Sequence, residues 1–201
     1  MRAKFITFEG ADGSGKTTQI EKIKKYFEEK GIECILTREP GGSDLGNKIR
    51  EILLHYEGEV DSLCELLLYM ADRAQHVKKV ILPELNKGKY VLCDRYTDSS
   101  VAYQGYARGL DTEKIMNLNN IATDGLEPDL TIVFDVETET AMKRVGATKD
   151  RLEQEGFEFH KKLRLGYLDL AKKFPERIIV VNSNLSIDEV FKQVKKILEK
   201  Q

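Results

Sequence analysis

The chain has 201 residues, of which 41% are hydrophobic and 33% charged, and its formal net charge is −2. These values predict an ordinary globular domain with a proper core and exclude a disordered chain. The charge argues against a protein that coats nucleic acid, and no apolar run approaches the ~20 residues that span a bilayer. The three cysteines are scattered, which predicts reduced thiols, so we expect a cytoplasmic protein without nucleic-acid or membrane partners.

Short apolar runs alternate with helical patterns along the chain. The runs that predict strands are residues 4–9, 32–39, 89–95, 129–136 and 176–182. Helical patterns occur at residues 16–30, 43–54, 61–85, 111–123 and 186–200. Pro83 is expected to bend or end the third of these helices. Apolar strands separated by helices predict a parallel sheet covered on both faces, hence a doubly wound α/β fold with five strands.

The first predicted strand leads into a glycine-rich loop. Residues 10–17 read GADGSGKT and match the pattern G-x-x-x-x-G-K-[ST] between a strand and a helix. In such a loop, backbone N–H groups surround phosphate oxygens, the lysine reaches the β/γ-phosphates and the threonine hydroxyl ligates Mg²⁺. The sequence therefore predicts a nucleoside triphosphate site with Mg²⁺, formed by Gly10, Ala11, Asp12, Gly13, Ser14, Gly15, Lys16, Thr17 and Thr18.

A carboxylate at the end of another strand completes this prediction. The run YVLCD places Asp94 at the carboxyl end of the third strand, where α/β sheets bind their ligands. Beside a phosphate loop we predict that Asp94 holds Mg²⁺ together with Thr17. The alternative is that Asp94 only caps the following loop.

Arginines indicate a second anionic substrate. We interpret Arg38, Arg73 and Arg95 as loop positions that follow strands, with Arg50 on the next helix. Several guanidinium groups at one sheet edge can bind a phosphate bidentately, although each alone could be a surface ion-pair residue. A GTPase would need N-K-x-D and D-x-x-G motifs, which do not occur outside the phosphate loop, and a helicase or transport ATPase would be longer. The pattern favours phosphoryl transfer between two phosphate compounds.

Further motifs resemble the thymidylate kinase family. They are FEGADGSGKTTQ, TREPGGSDLGNKIR, DRYTDSSVAYQGYARG, PDLTIVFDV and DRLEQEGFEFHKKLRLGY. The Arg-Glu-Pro-Gly-Gly and Asp-Arg-Tyr…Tyr-Gln-Gly blocks are specific to this family, and the resemblance covers almost the whole chain. It implies transfer of the ATP γ-phosphoryl group to dTMP with Mg²⁺, giving dTDP and ADP, in a single domain.

The resemblance also implies how the acceptor is held. Arg95 and Arg50 would bind the dTMP phosphate, Arg73 would donate to the thymine O4, and Ser100 would lie at the N3 edge of the base. Tyr69 stands where the family usually has a phenylalanine stacked on thymine, and this change retains the aromatic face.

The sugar contacts follow from the same resemblance. Tyr103 would pack against the deoxyribose where a 2′-hydroxyl would clash, and Asp12 would accept a hydrogen bond from the 3′-hydroxyl. Glu39 and Gln104 would belong to the same pocket.

Residues 144–156 correspond to the lid over ATP. The family carries a catalytic arginine either in the phosphate loop or in the lid, and Gly13 occupies the loop position here. The lid would therefore supply the basic groups, from Arg144, Lys149 or Arg151, although Arg144 could instead lie along the adenine. Loop 182–185 would approach the adenine through its backbone. The predicted catalytic groups are Lys16, Asp94, Arg95, Lys149 and Arg151.

Two alternative functions remain open, and the resemblance also predicts an oligomeric state. A kinase for UMP/CMP or AMP would lack the Tyr103–Gln104 pocket, and a non-catalytic nucleotide-binding protein would not need a complete catalytic set. The resemblance implies a homodimer. Its interface could include the apolar residues of the helix at 61–82, although burial in the core accounts for them equally well: Leu63, Leu66, Leu67 and Met70.

Overall fold

The structure is a computed structural model that describes residues 4–146 and 150–200. In these residues, five strands form one all-parallel sheet with the order β2–β3–β1–β4–β5. The strands are β1 (Phe5–Glu9), β2 (Cys34–Arg38), β3 (Tyr90–Asp94), β4 (Leu130–Asp135) and β5 (Ile178–Asn182). Each strand lies inside one predicted apolar run, so the predicted doubly wound α/β fold is confirmed.

Helices surround this sheet, some packed directly on it and others on neighbouring helices. In the described ranges they are α1 (Lys16–Glu29), α2 (Asp44–His55), α3 (Ser62–His76), α4 (Leu82–Asn86), α5 (Thr97–Ser100), α6 (Thr112–Thr123), α7 (Thr138–Arg144), α8 (Phe157–Lys173) and α9 (Ile187–Leu198). Two π-helical segments directly follow α3 and α5, at Val77–Ile81 and Val101–Ala107. None of these helices in the described part of the chain is long and apolar enough to cross a membrane.

Strand β1 shows how the two faces of the sheet are filled. Ile6 and Phe8 lie in a buried cluster with α1 and α9, to which Ile23 contributes. Phe5 packs into a separate cluster with the π-helical segment Val77–Ile81. Because successive side chains of a strand point to opposite faces, both faces are covered, and this explains why all five residues of the strand are buried.

The predicted helix at residues 61–85 is not one regular α-helix. It consists of α3, the π-helical segment Val77–Ile81 and α4, which has Pro83 in its first turn. Proline has no N–H group to donate and is tolerated in the first turn of a helix. The helical path therefore changes its hydrogen-bonding pattern before Pro83 and continues through it.

The sequence predicts only a loop between β3 and the helix at 111–123, and this expectation is wrong. Residues 97–107 form α5 and a π-helical segment that packs along α8. Gly166 of α8 permits the close approach, since a Cβ there would lie 2.8 Å from the Tyr106 ring. Serines, β-branched residues and a glycine give the segment weak helix propensity, so tertiary packing determines its structure.

The carboxyl ends of β1, β2 and β3 meet at one edge of the sheet. Asp94 is paired in register with Phe8 of β1 and Arg38 of β2. Arg38 ends β2 and Arg95 follows β3, as predicted. The interpretation of Arg73 as a loop residue is wrong, because it lies in α3, where it continues the helical pattern and is buried. The start of the glycine-rich loop thus lies beside Asp94 and Arg95.

Candidate active site

The glycine-rich loop joins β1 to α1 through left-handed backbone conformations. Gly10, Gly13 and Gly15 have φ values of 140°, 78° and 83°, which glycine adopts without a steric penalty. Gly15 directly precedes α1, so the loop ends at a helix N-terminus with free N–H groups. Lys16 is only 6% exposed. The predicted donor-binding residues thus form a continuous loop whose shape suits phosphate oxygens.

Gly13 lies against the backbone of α7. A Cβ atom at this position would collide with the carbonyl oxygen of Ala141. A larger side chain does not fit here unless α7 moves. This loop position therefore has no room for a basic side chain, and the expectation that the lid supplies such a group stays a prediction.

Thr17 and Asp94 offer a site that suits Mg²⁺. The Oδ1 atom of Asp94 is buried and has no hydrogen-bond partner among the described residues; its nearest cation is Lys16 Nζ at 4.0 Å. Thr17, Asp94 and Arg38 line one cavity of about 480 Å³. In the described residues no three His, Cys, Asp or Glu side chains cluster as metal ligands. Mg²⁺ commonly keeps several waters and uses one or two carboxylates with substrate phosphates, so this donor set fits it.

The phosphate loop opens into a groove of about 710 Å³, which we call the donor groove. It extends from the loop to the segment between β5 and α9 and includes Ser183 and Leu185. Arg144 lies in this groove and donates from Nη1 to the Ser183 carbonyl at 3.1 Å. The loop predicted to approach the adenine therefore lies in the same groove as the phosphate loop and Arg144.

Arg95 connects the donor groove to a second pocket. Its backbone is left-handed, with a φ of 68°, and its Nη1 atom donates to the Gly10 carbonyl at 2.9 Å. Its Nη2 atom donates to Asp12 Oδ1 at 2.6 Å, while the Tyr103 hydroxyl donates to Asp12 Oδ2 at 2.9 Å. Burial would raise the pKa of the Asp12 carboxyl, but Arg95 and Lys16 hold that pKa well below its usual value. Asp12 therefore stays ionised and orients Arg95 and Tyr103.

The second pocket, which we call the acceptor pocket, is a small cavity of about 70 Å³. All nine residues predicted to bind the acceptor line it, although they come from five separate parts of the chain. Asp12 lines both this pocket and the donor groove. The sequence did not indicate five further lining residues: Pro40, Leu54, Ser99, Asp150 and Leu152.

Arg73 forms the floor of the acceptor pocket and is 1% exposed. Its Nε atom donates to Glu39 at 2.8 Å, and Nη1 donates to Ser100 Oγ at 2.9 Å and Asn119 Oδ1 at 2.6 Å. Nη2 donates to the Tyr96 carbonyl at 3.0 Å, which leaves one Nη2–H without a partner among the described residues. Protein groups therefore fix the guanidinium before any ligand binds.

Arg50, Tyr69 and Gln104 form the walls of the same pocket. Arg50 donates from Nη1 to the Pro40 carbonyl at 2.9 Å, and burial together with Arg38 lowers its pKa. Burial and nearby charge raise the pKa of the Tyr69 phenol, whose hydroxyl donates to no other described residue. The aromatic face of Tyr69 and the guanidinium of Arg50 thus border one cavity.

Arg151, one of the three predicted lid cations, is paired with residues of α2 and α3 in this structure. Arg151 donates from Nε to the Leu53 carbonyl at 2.9 Å and from Nη2 to Glu65 Oε2 at 2.5 Å. It does not line the donor groove, although Arg144 and Glu153 from the same predicted lid do. Lys149, the other predicted lid cation, lies outside the described residues. The structure therefore brings Lys16, Asp94 and Arg95 together and leaves Arg151 apart from them.

Comparison with known proteins identifies the family. The profile described as "Thymidylate kinase" matches residues 8–194. The chain belongs to the thymidylate kinase family. A thymidylate kinase of Caldanaerobacter subterraneus subsp. tengcongensis is 50% identical over 200 residues, covering 99% of this chain and 96% of the relative. One of Carboxydothermus hydrogenoformans is also 50% identical, with 99% and 98% covered.

A solved structure supports the same conclusion. The crystal structure of thymidylate kinase from Ehrlichia chaffeensis has a TM-score of 0.83 to this chain at 39% identity, and the match covers 99% of both chains. The resemblance stated from the sequence motifs is therefore confirmed, and this member of the thymidylate kinase family is an enzyme of that kind.

The sequence patterns did not predict the buried carboxylates Glu9 and Glu65 of this thymidylate kinase family member. Glu9 accepts hydrogen bonds from Ser99 at 2.5 Å and Tyr167 at 3.1 Å, and burial followed by Asp98 raises its pKa to about 7. Glu65 is fully buried in α3. The sequence did contain a signal for both: each glutamate stands at one end of an apolar run, Glu9 in FITFE and Glu65 in ELLLYM. A carboxylate in such a run is expected to be buried and therefore to need a hydrogen-bonding or charged partner.

Proposed function

We propose that the chain transfers the γ-phosphoryl group of ATP to dTMP, giving dTDP and ADP, with Mg²⁺ as cofactor. The observation that carries the proposal is the acceptor pocket, which is lined by all nine predicted residues and shares Asp12 with the donor groove. Membership of the thymidylate kinase family supports the same reaction.

On the donor side, the phosphate loop and Lys16 would bind the ATP phosphates. Mg²⁺, held by Thr17 and Asp94, would supply positive charge to the phosphates and help to orient them. Arg144 would lie beside the nucleoside part of ATP, since it shares the groove with Ser183.

On the acceptor side, no general base is required because the nucleophile is a phosphate oxygen that is already anionic. Arg95 and Arg50 would bind that phosphate and neutralise charge as the transfer proceeds. Arg95 needs little reorganisation, because Asp12, Gly10 and Tyr167 already hold its guanidinium. Catalysis then consists of positioning and charge stabilisation.

Selection of the base and sugar would follow from the rest of the pocket. Arg73 and Ser100 would meet the polar edge of thymine, and Tyr69 would stack on its face. Tyr103 is anchored through its hydroxyl to Asp12, so its ring cannot move aside easily for a 2′-hydroxyl. This arrangement favours a deoxynucleotide.

The experiment is a coupled ADP-release assay with dTMP, UMP, CMP, AMP and GMP as acceptors. The proposal expects dTMP to be preferred strongly over UMP, which differs at the sugar and lacks the methyl group. Equal rates on dTMP and UMP would favour another monophosphate kinase. No turnover with any acceptor would favour a non-catalytic nucleotide-binding protein.

We also propose that the chain is one domain with residues 144–156 as its lid, and that it forms a homodimer. Leu66 and Met70 are buried in the core, whereas Leu63 and Leu67 of α3 are 51% and 50% exposed. Neighbouring α2 exposes Ile52 to 49%. Half-exposed apolar side chains on two packed helices suit an interface between copies. Light scattering in solution tests this, and a monomeric mass at micromolar concentration would contradict it.

A further inference from the structure

Three hydrogen-bonded partners converge on Glu65 at the start of α3. The Oε1 atom of this fully buried residue accepts from Gln104 Nε2 at 2.9 Å. Its Oε2 atom accepts from Arg151 Nη2 at 2.5 Å and from Arg108 Nη2 at 3.3 Å. One carboxylate therefore joins the lid to the π-helical segment after α5 and to the residue that follows it.

Arg108 makes a second bridge to the lid. Its Nη1 atom donates to Glu155 at 2.5 Å, four residues beyond Arg151. We call Glu65, Arg108, Arg151 and Glu155 the lid latch. The two carboxylates and two guanidinium groups balance in charge, which is the condition under which such groups are stable away from water.

The backbone of the lid is fixed at the same place. Arg151 donates from its backbone N to the Leu54 carbonyl at 3.2 Å and from Nε to the Leu53 carbonyl at 2.9 Å. Both carbonyls belong to the last turn of α2, whose final C=O groups lack partners within the helix. Leu152 is buried in the hydrophobic cluster beneath them.

The latch lies directly behind the acceptor pocket. Asp150 and Leu152, on either side of Arg151, line that pocket. Gln104, which is bonded to Glu65, and Tyr69, one helical turn after Glu65, line it as well. Glu65 is thus bonded to two walls of the acceptor pocket, at Gln104 and at Arg151 of the lid, lies one helical turn from a third at Tyr69, and does not line the donor groove.

We propose that Glu65 is a positioning residue for the acceptor: through Arg151 and Arg108 it holds residues 150–156 as a wall of the acceptor pocket. The latch then sets the affinity for the acceptor and contributes little to the transfer step. The proposal rests on the proposed function, in which this pocket takes dTMP. It also gives Arg151 a structural partner in place of the transferred phosphate.

Breaking the latch should weaken the binding of dTMP much more than the binding of ATP. Removing the charge of Glu65 leaves two guanidinium groups without their shared carboxylate, and a hydrogen bond to a charged group contributes enough for about a tenfold change in binding. Without this interaction, residues 150–156 are held less firmly as a wall of the acceptor pocket, and dTMP should bind more weakly. No hydrogen bond or ion pair joins the phosphate loop or Arg144 to the latch residues, so KM for ATP should change much less than KM for dTMP.

The test is a double-mutant cycle of Glu65→Gln and Arg151→Gln, with KM for each substrate, kcat, and hydrogen exchange of residues 150–156. Arg164→Gln is the matched control, because it removes a two-bond ion pair with Asp135, at 2.6 and 2.9 Å, outside the lid. Arg151→Lys tests whether another cationic side chain at this position restores part of the function. Arg151 is partly exposed, so its variants remain usable if Glu65→Gln fails to fold.

We expect each single variant to raise KM for dTMP about tenfold, with kcat and KM for ATP changed by less than about threefold. The double variant should resemble the singles, because one interaction is lost in all three. Exchange of residues 150–156 should be faster in both singles and unchanged in Arg164→Gln. Arg151→Lys should recover part of the affinity.

Other results would overturn the proposal. A fall in kcat of about a hundredfold in Arg151→Gln at constant KM for dTMP would place Arg151 on the transferred phosphate. If Glu65→Gln leaves KM for dTMP and the hydrogen exchange of residues 150–156 unchanged, the latch does not position the acceptor pocket. The same conclusion follows if Arg164→Gln has effects as large as those of the latch variants. If the wild-type protein does not phosphorylate dTMP, the proposed function fails, and the exchange comparison still decides whether the latch exists.

Discussion

The donor groove and the acceptor pocket are built in opposite ways. The donor groove is large, about 710 Å³, and its phosphate-binding part is backbone in left-handed glycine conformations. The acceptor pocket is about 70 Å³ and is bordered by side chains that are already paired with one another. Three buried atoms at the donor side, Ser14 Oγ, Gln19 Oε1 and Asp94 Oδ1, lack hydrogen-bond partners among the described residues, and none of the nine acceptor residues has such an atom.

The two substrates should therefore complete different kinds of interaction when they bind. On the donor side, phosphates and a metal ion would complete interactions that the protein leaves open. On the acceptor side, the protein has fixed the guanidinium groups of Arg73 and Arg95 in advance, so little reorganisation accompanies binding. We therefore expect substitutions in the two sites to affect different measurable constants.

The largest expected effect is at Arg95, which joins the two sites. Arg95→Ala should lower kcat by about 10³-fold or more, because a cation on the transferred phosphate is lost. ATP binding, measured by calorimetry, should be largely retained, since Lys16 and the loop backbone remain. A loss of ATP affinity as large as the loss in kcat would contradict the separation of the sites. Arg95→Lys serves as the control that keeps the charge.

Glu9 tests whether the acceptor side contains a neutral buried carboxyl. Its pKa is raised to about 7 from 4.5, so its contribution to stability is complete below about pH 4.5 and is lost as the pH rises through 7. The free energy of unfolding of the wild type, relative to Glu9→Gln, should therefore fall by up to ~3 kcal/mol between about pH 4.5 and pH 8. Denaturant titrations at both pH values measure this, and a constant or rising difference would contradict it.

Asp94→Asn should act on the donor side alone. We expect about a hundredfold weaker apparent affinity for Mg²⁺ in the kinase assay, a loss that substitutions around metal sites commonly cause. Direct binding of dTMP should be unchanged. If dTMP binding weakens and the Mg²⁺ dependence does not, Asp94 belongs to the acceptor side and the comparison of the two sites is wrong.

The smallest effect is expected for Tyr69→Phe. The ring remains available for stacking, and the hydroxyl donates to no other described residue, so KM for dTMP should change by less than about threefold. Tyr69→Leu is the contrasting variant, because it removes the aromatic face and should raise KM clearly. Equal KM values for dTMP in the phenylalanine and leucine variants would show that Tyr69 does not stack on the base.

Local patterns in the sequence predicted the strands and the phosphate loop well. Each strand is a short apolar run, and the loop GADGSGKT is contiguous, so neighbouring residues carry the whole signal. The nine acceptor residues are dispersed, and the resemblance to thymidylate kinases, through TREPGG and DRYTDSSVAYQG, was needed to group them.

Long-range pairings could not be predicted in the same way. The bond between Arg151 and Glu65 joins residues 86 positions apart, and no local pattern specifies it. The helical form of residues 97–107 depends on packing against Gly166, which is also distant in the chain. The signal that remained was the presence of Glu9 and Glu65 in apolar runs, which indicates burial and a partner without identifying the partner.

Transfer of the γ-phosphoryl group to dTMP can be followed with a label on that group. The protein is incubated with γ-labelled ATP, Mg²⁺ and dTMP, and the label is separated into dTDP and inorganic phosphate. We expect labelled dTDP to appear in a one-to-one ratio with ADP, because the closed acceptor pocket presents dTMP and excludes water. Label recovered mainly as inorganic phosphate, or ADP formed at the same rate without dTMP, would contradict it.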